Sequence, residues 1–218
     1  MGLDLVVFDL DGTLIDSRRD LADATNAMLV ELGAAPITMD AVAAMVGDGA
    51  AMLVRRALTA AGLDPETPDA LNRFLACYDD RLLIHTRPYD GMVEALATLK
   101  TACSLAVLTN KPTAATIRIL AGLGLDAYFD GVVGGDTPHG RKPNPDGLHH
   151  LMDAAGAAPV STVLVGDSPI DLQTARRARV SICLARYGFG FTLKDTDLRG
   201  DEITIDHPWD LVCALDLG

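Results

Sequence analysis

From residue 87 onward, short apolar runs alternate with helical patterns, and this alternation limits the possible folds more than any other feature. The apolar runs cover 103–108, 131–133, 162–165 and 180–184, and helical patterns cover 92–101, 113–123, 146–155 and 171–178. A further apolar run, 3–8, stands near the start. Alternation of this kind specifies a parallel sheet with right-handed helical crossovers. We therefore expect an α/β protein.

Between the first apolar run and this alternating part, the signals are all helical. One helical pattern begins near Ser17 and ends at Gly33, and others cover 39–46, 50–61 and 68–83. We interpret residues 17–86 as a helical domain that is inserted after the first strand and lies over the carboxyl ends of the strands. Residues 1–16 and 87–218 then form the α/β core domain.

Composition limits the partners of this chain. Its 218 residues carry a formal net charge of -12, which disfavours nucleic acid and anionic membranes because both require a concentrated basic surface. The four cysteines form no C-x-x-C pair and are expected to be reduced. The sequence contains neither a secretory signal pattern nor an apolar stretch long enough to span a bilayer. We expect a soluble, cytoplasmic protein whose partner is a small molecule.

Two carboxylates, Asp9 and Asp11, follow the first apolar run directly. The carboxyl ends of parallel strands are where ligands bind in open α/β sheets, so both acids are candidates for a site. A polar turn is the alternative, since Asp and Gly are common turn residues. A calcium-binding loop fits less well, because its sixth position requires glycine and its twelfth glutamate, where this chain has Leu14 and Asp20.

Polar residues also follow other predicted strands. They are Thr109 and Asn110, Asp167 and Asp171, and Lys142 in a proline-containing loop. Each has a structural explanation as a helix cap or a solvated lysine. Their joint occurrence at the same edge of one sheet favours a functional site.

The chemistry of these groups explains why they would act together. Clustered carboxylates repel one another, and Mg²⁺, which prefers oxygen ligands, would relieve the repulsion with Asp9 and Asp167 as ligands. A phosphate monoester brings more negative charge, so the site also needs Lys142 as a cation. Thr109 and the amides near Asn110 supply hydrogen-bond donors at the start of a helix.

With charge neutralised in this way, Asp9 is placed to attack phosphorus and form an aspartyl-phosphate. Asp11, two residues further on, is placed to protonate the leaving alcohol and then to deprotonate water.

These residues resemble the four motifs of the haloacid dehalogenase superfamily. The motifs are Asp9-Leu-Asp-Gly-Thr, Thr109-Asn110, Lys142-Pro143 and Gly166-Asp167-Ser168-x-x-Asp171. The resemblance implies a Rossmann-like parallel sheet in the order 5-4-1-2-3, counting the five core strands along the chain, and an inserted helical cap domain of the C1 type. It also implies that the backbone carbonyl of Asp11 is a metal ligand and that Asp171 orients Lys142 or a metal-bound water. An acid at position 11 points to phosphoryl transfer rather than to carbon-halogen cleavage.

A finer resemblance is to the phosphoglycolate phosphatase subgroup. It is carried by the stretch 9–17, Met45-Val-Gly-Asp-Gly, Leu108-Thr-Asn-Lys-Pro, Gly134-Gly-Asp and Lys142-Pro-Asn-Pro. The resemblance implies a Mg²⁺-dependent phosphatase for small phosphomonoesters, with 2-phosphoglycolate as the expected substrate. Three alternatives stay open: a sugar-phosphate phosphatase of the N-acetylmuramate 6-phosphate type, a mutase like β-phosphoglucomutase, and a regulatory protein that binds a phosphorylated metabolite.

Substrate choice is expected to depend on the helical cap. We expect Gly47 and Gly49 to contact the substrate together with Thr109, Asn110 and Lys142. Arg55 would be a clamp for a carboxylate or phosphate, although a surface arginine and a helix-linking turn are the plainer explanations of these cap residues. A monomer or a homodimer is expected.

Overall fold

The apolar runs form the strands of one parallel sheet in the computed structural model, which describes residues 2–216. The strands of this sheet are β1 (Leu5–Phe8), β4 (Ser104–Leu108), β5 (Gly131–Val133), β6 (Thr162–Gly166), β7 (Ser181–Ala185) and β8 (Ile203–Ile205), and two short strands outside it are β2 (Ile15–Asp16) and β3 (Arg87–Pro88). The helices are α1 (Arg18–Glu31), α2 (Met39–Ala43), α3 (Ala50–Ala60), α4 (Ala70–Asp79), α5 (Met92–Leu99), α6 (Thr113–Gly122), α7 (Asp146–Ala155), α8 (Pro169–Ala178) and α9 (Asp210–Ala214).

The main sheet has the order β5-β4-β1-β6-β7-β8, and all of its neighbouring strands are parallel. When the six strands of this sheet are numbered 1 to 6 along the chain, their order from the β8 edge is 6-5-4-1-2-3. The first five therefore have the predicted order 5-4-1-2-3, and β8 adds a sixth strand beside β7. The fold class is thus confirmed.

Strand β1 lies at the centre of this sheet and is buried on both faces. Val6 and Phe8 belong to one apolar cluster, and Leu5 and Val7 belong to the cluster on the opposite face. This explains why its sequence is a continuous apolar run instead of an alternating one. Phe8 is in register with Val107 of β4 and Val165 of β6, so the residues that follow all three strands emerge at the same edge.

Helices α1 to α4 are inserted between β2 and β3, which pair with each other as a separate antiparallel ribbon. The buried carboxylate of Asp20 in α1 anchors the returning chain, because it accepts hydrogen bonds from the His85 and Thr86 amides and from the Thr86 hydroxyl. Phe74 of α4 and Phe8 of β1 share one apolar cluster. The division of the chain into core and cap domains stays a prediction.

Some predicted elements have different bounds in the structure. Helix α4 spans Ala70–Asp79 instead of 68–83, and α2 ends at Ala43. Helix α8 begins at Pro169, two residues before the predicted start, because Ser168 and Asp171 form a capping box ahead of a proline at the first helical turn. No helix within residues 2–216 is long and apolar enough to cross a membrane.

Candidate active site

The carboxyl ends of β1 and β6 and the loop before α7 bring four predicted residues into contact. Asp9 follows β1, and its amide donates a hydrogen bond to the Val165 carbonyl of β6. The buried Lys142 ammonium lies 2.7 Å from Asp9 Oδ1 and 2.6 Å from Asp171 Oδ1. Asp167 completes the group, since carboxylate oxygens of Asp9, Asp167 and Asp171 all lie within 4.8 Å of one another.

The three carboxylates are poorly compensated by one lysine. Burial raises the pKa of Asp9 to about 7, because the attraction of Lys142 only partly offsets desolvation and Asp171 adds repulsion. Burial and the same neighbouring carboxylates hold the pKa of Asp167 well above its ordinary value. A cluster of buried oxygen donors with excess negative charge fits a hard divalent cation, and Asp9 and Asp167 are its best placed side-chain ligands.

Asp171 is placed to orient Lys142. Its Oδ1 accepts from Lys142, and its Oδ2 accepts from the Ser168 hydroxyl at 2.6 Å and from the Ser168 amide at 3.1 Å. Burial acts to lower the pKa of Lys142, but the charges of Asp171 and Asp9 outweigh it and raise the pKa above its usual value. Lys142 therefore stays protonated between its two partners.

The wall around Asp167 comes from residues to which the sequence analysis assigned no role. The Gly190 amide donates to Asp167 Oδ2 at 2.7 Å. Gly12 has a φ of 90° and sits so close to the Asp167 carboxylate that a Cβ there would collide with it. The loop containing Gly190 follows β7, where the sequence carries no polar signal that would place it at the site.

Asp11 contacts a second buried lysine. Its carboxylate accepts from the Ser17 hydroxyl at 2.5 Å and from Lys111 Nζ, which lies 2.9 Å from Oδ1 and 2.8 Å from Oδ2. Lys111 also donates to the Tyr78 hydroxyl of α4 at 2.7 Å. Burial acts to lower the pKa of Lys111, but Asp11 and then Tyr78 raise it above its ordinary value, so this lysine is charged as well.

Thr109 and Asn110 directly follow β4. Thr109 Oγ1 accepts from the Lys111 amide at 3.2 Å, which leaves its own hydroxyl proton free to donate. The Asn110 side chain donates to the Gly47 carbonyl at 2.8 Å and to the Lys142 carbonyl at 3.0 Å. Its amide N–H groups are therefore directed at the backbone and at the helical segment.

A pocket extends from Asp9 and Asp11 towards α3 and α4. Its wall on the side of the inserted helices is mostly apolar, with the Gly47 and Gly49 loop at one margin. The lining residues from the helical segment are Leu21, Val46, Gly47, Gly49, Ala50, Leu53, Phe74, Leu75 and Tyr78.

Comparison with known proteins identifies the family. Residues 6–185 match the family model described as haloacid dehalogenase-like hydrolase. The chain belongs to this family. It is 40% identical over 195 residues to a phosphoglycolate phosphatase of Colwellia psychrerythraea, with 86% of each chain covered. It is 42% identical over 192 residues to one of Rhodospirillum rubrum, covering 84% of this chain and 80% of that one.

A solved structure agrees with this assignment. The crystal structure of a protein of Haemophilus somnus 129PT, described as a predicted phosphoglycolate phosphatase, has a TM-score of 0.89 and 30% identity over 97% of each chain. The family and the fold expected from the sequence are thus confirmed. Family and relatives together make this hydrolase a phosphoric monoester hydrolase.

The structure does not bring every predicted residue to the pocket of this hydrolase. Arg55 is half exposed and forms an ion pair with Glu66 at 2.5 Å, and it is not among the residues that line the pocket. The neighbouring Arg56 is directed at the preceding loop instead, where it donates to the Met45 carbonyl and to Asp48 and so supports the loop that carries Gly47. The role of Arg55 as a substrate clamp stays a prediction, which its pairing with Glu66 does not support.

Lys111 is the functional candidate that the sequence analysis missed. It stands in the motif Leu108-Thr-Asn-Lys-Pro that marks the end of β4, but its side-chain environment depends on Tyr78, which is 33 positions away. The available signal was a lysine that directly follows Asn110 in a predicted site loop.

Proposed function

We propose that this hydrolase dephosphorylates small phosphomonoesters, with 2-phosphoglycolate as its main substrate, through an aspartyl-phosphate on Asp9. The observation that carries the proposal is Lys142, which is buried and held within 2.7 Å of the nucleophile candidate Asp9 by Asp171. A fixed cation beside a strand-end carboxylate is what phosphoryl transfer requires, since negative charge accumulates around phosphorus.

Mg²⁺ fits this site as the cofactor. Asp9 and Asp167 would hold it together with the backbone carbonyl of Asp11. When bound, it would neutralise the excess carboxylate charge and so let a phosphate dianion approach Asp9.

The chain's own residues account for the two transfers. In the first, an Asp9 oxygen forms a bond to phosphorus as the ester P–O bond breaks, and Asp11 gives its proton to the leaving alkoxide. In the second, Asp11 takes a proton from water, the water oxygen bonds to phosphorus, and the bond to Asp9 breaks with release of phosphate. Lys142 and the Thr109 hydroxyl stabilise the negative oxygens throughout.

The names of the relatives support 2-phosphoglycolate as the substrate, because several proteins between 37% and 42% identical to this chain are called phosphoglycolate phosphatases. The expected partner is a small phosphorylated metabolite, with neither nucleic acid nor membrane involved. A cytoplasmic location and a monomeric or homodimeric state complete the proposal.

The deciding experiment measures phosphate release, with and without Mg²⁺, from 2-phosphoglycolate, N-acetylmuramate 6-phosphate, hexose phosphates and pyrophosphate, with Asp9→Asn as the blank. We expect kcat/KM for 2-phosphoglycolate to exceed the others by about 100-fold, and activity to require Mg²⁺. A similar preference for another ester would identify that ester as the substrate in place of 2-phosphoglycolate. Phosphoryl return to a sugar would identify a mutase, and binding without turnover would identify a regulatory protein.

A further inference from the structure

Lys111 is the one cationic side chain among the described residues that line the pocket. Its side chain is only 5% exposed, and it lies on the boundary between the polar end of the pocket, at Asp9 and Asp11, and the apolar wall formed with α4. A buried charge in such a place requires strong partners. Its position suggests that one of those partners comes with the substrate.

The acceptors around Lys111 come from two residues, and only one of them, Asp11, is charged. An ammonium carries three N–H donors. Across residues 2–216, the acceptors for Lys111 Nζ are the Asp11 carboxylate and the Tyr78 hydroxyl. Nζ lies within 2.9 Å of both Asp11 oxygens, so an acceptor that enters the pocket would take over one of the N–H groups now directed at the Asp11 carboxylate.

Tyr78 supplies an available donor at the same point. Its hydroxyl accepts from Lys111, and its own proton has no acceptor in the part of the chain that the structure describes. The ring is fixed, since it is buried and stacks on Phe74 with the ring centroids 5.7 Å apart. Burial raises the pKa of Tyr78 to about 12, so the hydroxyl remains a donor near neutral pH. Lys111 and Tyr78 thus present two adjacent donors, one of them charged.

We propose that Lys111 Nζ and the Tyr78 hydroxyl form a carboxylate-binding subsite, which selects phosphomonoesters that carry a carboxylate near the ester bond. The inference rests on the proposed function, because it places the phosphoryl group at Asp9 and the carboxylate towards α4. A carboxylate directed at the remaining apolar wall would be desolvated without a partner, so Lys111 is the cation that can accept it. Arg55 of α3, which the sequence suggested for this task, is not among the residues that line the pocket.

The test compares two substrates that differ in one group, 2-phosphoglycolate and 2-hydroxyethyl phosphate, in which a hydroxymethyl group replaces the carboxylate. The measured quantity is the ratio of their kcat/KM values. Lys111→Met should lower this ratio by at least ~30-fold, on the scale of a lost charge-assisted hydrogen bond, and Tyr78→Phe by about 5-fold. The ratio separates recognition from any effect transmitted through Asp11, since a disturbed Asp11 slows both substrates alike.

Thermal unfolding of both variants controls for folding. Tyr78→Phe keeps the pair between Lys111 and Asp11, so it decides the matter if Lys111→Met does not fold. An unchanged ratio in the folded variants, or a wild-type ratio near one, would overturn the subsite.

Failure of the proposed function is distinguishable from failure of the subsite. If the wild-type protein hydrolyses neither compound, calorimetry measures the binding of each to wild type and to Lys111→Met. A preference for 2-phosphoglycolate that is lost in Lys111→Met would support the subsite without the activity. Equal binding of the two compounds to wild type would overturn it.

Discussion

The strand ends and the inserted helices form two sides of one pocket, but they hold their charged side chains differently. At the strand ends, Asp9, Lys142 and Asp171 are buried and in direct contact. In the helical segment, Arg55 and Arg56 form ion pairs in which every side chain is at least 35% exposed. The helices contribute mainly apolar surface to the pocket, with Tyr78 as the polar exception.

This difference separates the groups that we propose to perform chemistry from groups that support the scaffold. Exposed ion pairs contribute little to stability because water competes with them. Buried like charges destabilise the fold, and here the destabilised carboxylates are the proposed nucleophile and metal ligands. The comparison predicts that substitutions at the strand ends change activity most and that those in the exposed pairs change it least.

Asp9→Asn should have the largest effect. The amide is neither a nucleophile nor a good metal ligand, so phosphate release should fall at least ~1,000-fold. Asp23→Asn on the exposed face of α1 is the matched control and should retain wild-type activity. Turnover above a few per cent of wild type would assign the nucleophile elsewhere.

Asp9→Asn should raise stability at alkaline pH, although it lowers activity. The pKa of Asp9 is raised to about 7 in the folded protein, so folding favours the protonated carboxyl. The stability that this carboxyl contributes at low pH is lost as pH rises from about 4 through 7, where the buried group has to ionise. In chelator, the thermal midpoint of Asp9→Asn should therefore exceed that of wild type at pH 8, and the difference should shrink towards pH 4. A constant difference would contradict a raised pKa for Asp9.

Lys142→Ala should lower kcat/KM by at least ~100-fold, the scale of losing one transition-state donor. It should also destabilise the protein, because Asp9 and Asp171 lose their shared cation. Lys100→Ala, which removes an ammonium paired with Asp130 at the surface, is the control and should leave the rate unchanged. A near-normal rate for Lys142→Ala would exclude this lysine from the reaction.

Glu202→Gln should affect stability without affecting activity. The Glu202 carboxylate accepts from Arg176 and from the Arg199 and Gly200 amides, and these bonds outweigh burial and lower its pKa to about 2. The substitution should cost about 1–2 kcal/mol at pH 7, measured by urea unfolding.

A lowered folded pKa gives stability that is present above the unfolded pKa, roughly 4.3, and is lost as pH falls towards 2. The gap between wild type and Glu202→Gln should therefore narrow below about pH 4. A stability difference between wild type and Glu202→Gln that grows as pH falls would contradict a lowered pKa for Glu202.

Arg55→Ala should have the smallest effect. Because Arg55 pairs with exposed Glu66 outside the pocket, kcat/KM for 2-phosphoglycolate should stay within about twofold of wild type. A large rise in KM would return Arg55 to the role of a substrate clamp.

The sequence was sufficient to predict the strand-end site for a physical reason. The register of a parallel sheet places the residues after Phe8, Val107 and Val165 at one edge, so a motif that follows a buried strand is located as soon as the strand is recognised. The family resemblance then added the expectations that the backbone carbonyl of Asp11 is a metal ligand and that Asp171 orients Lys142 or a metal-bound water.

The pocket wall was not predictable in the same way. Arg55 and Arg56 are adjacent in α3, and a small difference in helix phase decides which one reaches the loop that precedes the helix. The role that we infer for Lys111 depends on its hydrogen bond to Tyr78, and the position of Tyr78 depends on how α4 packs. Strands β2 and β3 have two residues each, which is too short for a periodic signal.

The ribbon of β2 and β3 has a consequence for how such a protein can be altered. Ile15 pairs with Pro88 and Asp16 with Arg87, so the intervening segment departs and returns at neighbouring points outside the main sheet. Its replacement by another segment whose ends meet would leave every main-sheet strand in register. Recombination at this junction would thus exchange the pocket wall on the side of the inserted helices and keep the residues that follow the main-sheet strands, provided that the new segment covers the core residues, such as Phe8, that share an apolar cluster with Phe74 of α4.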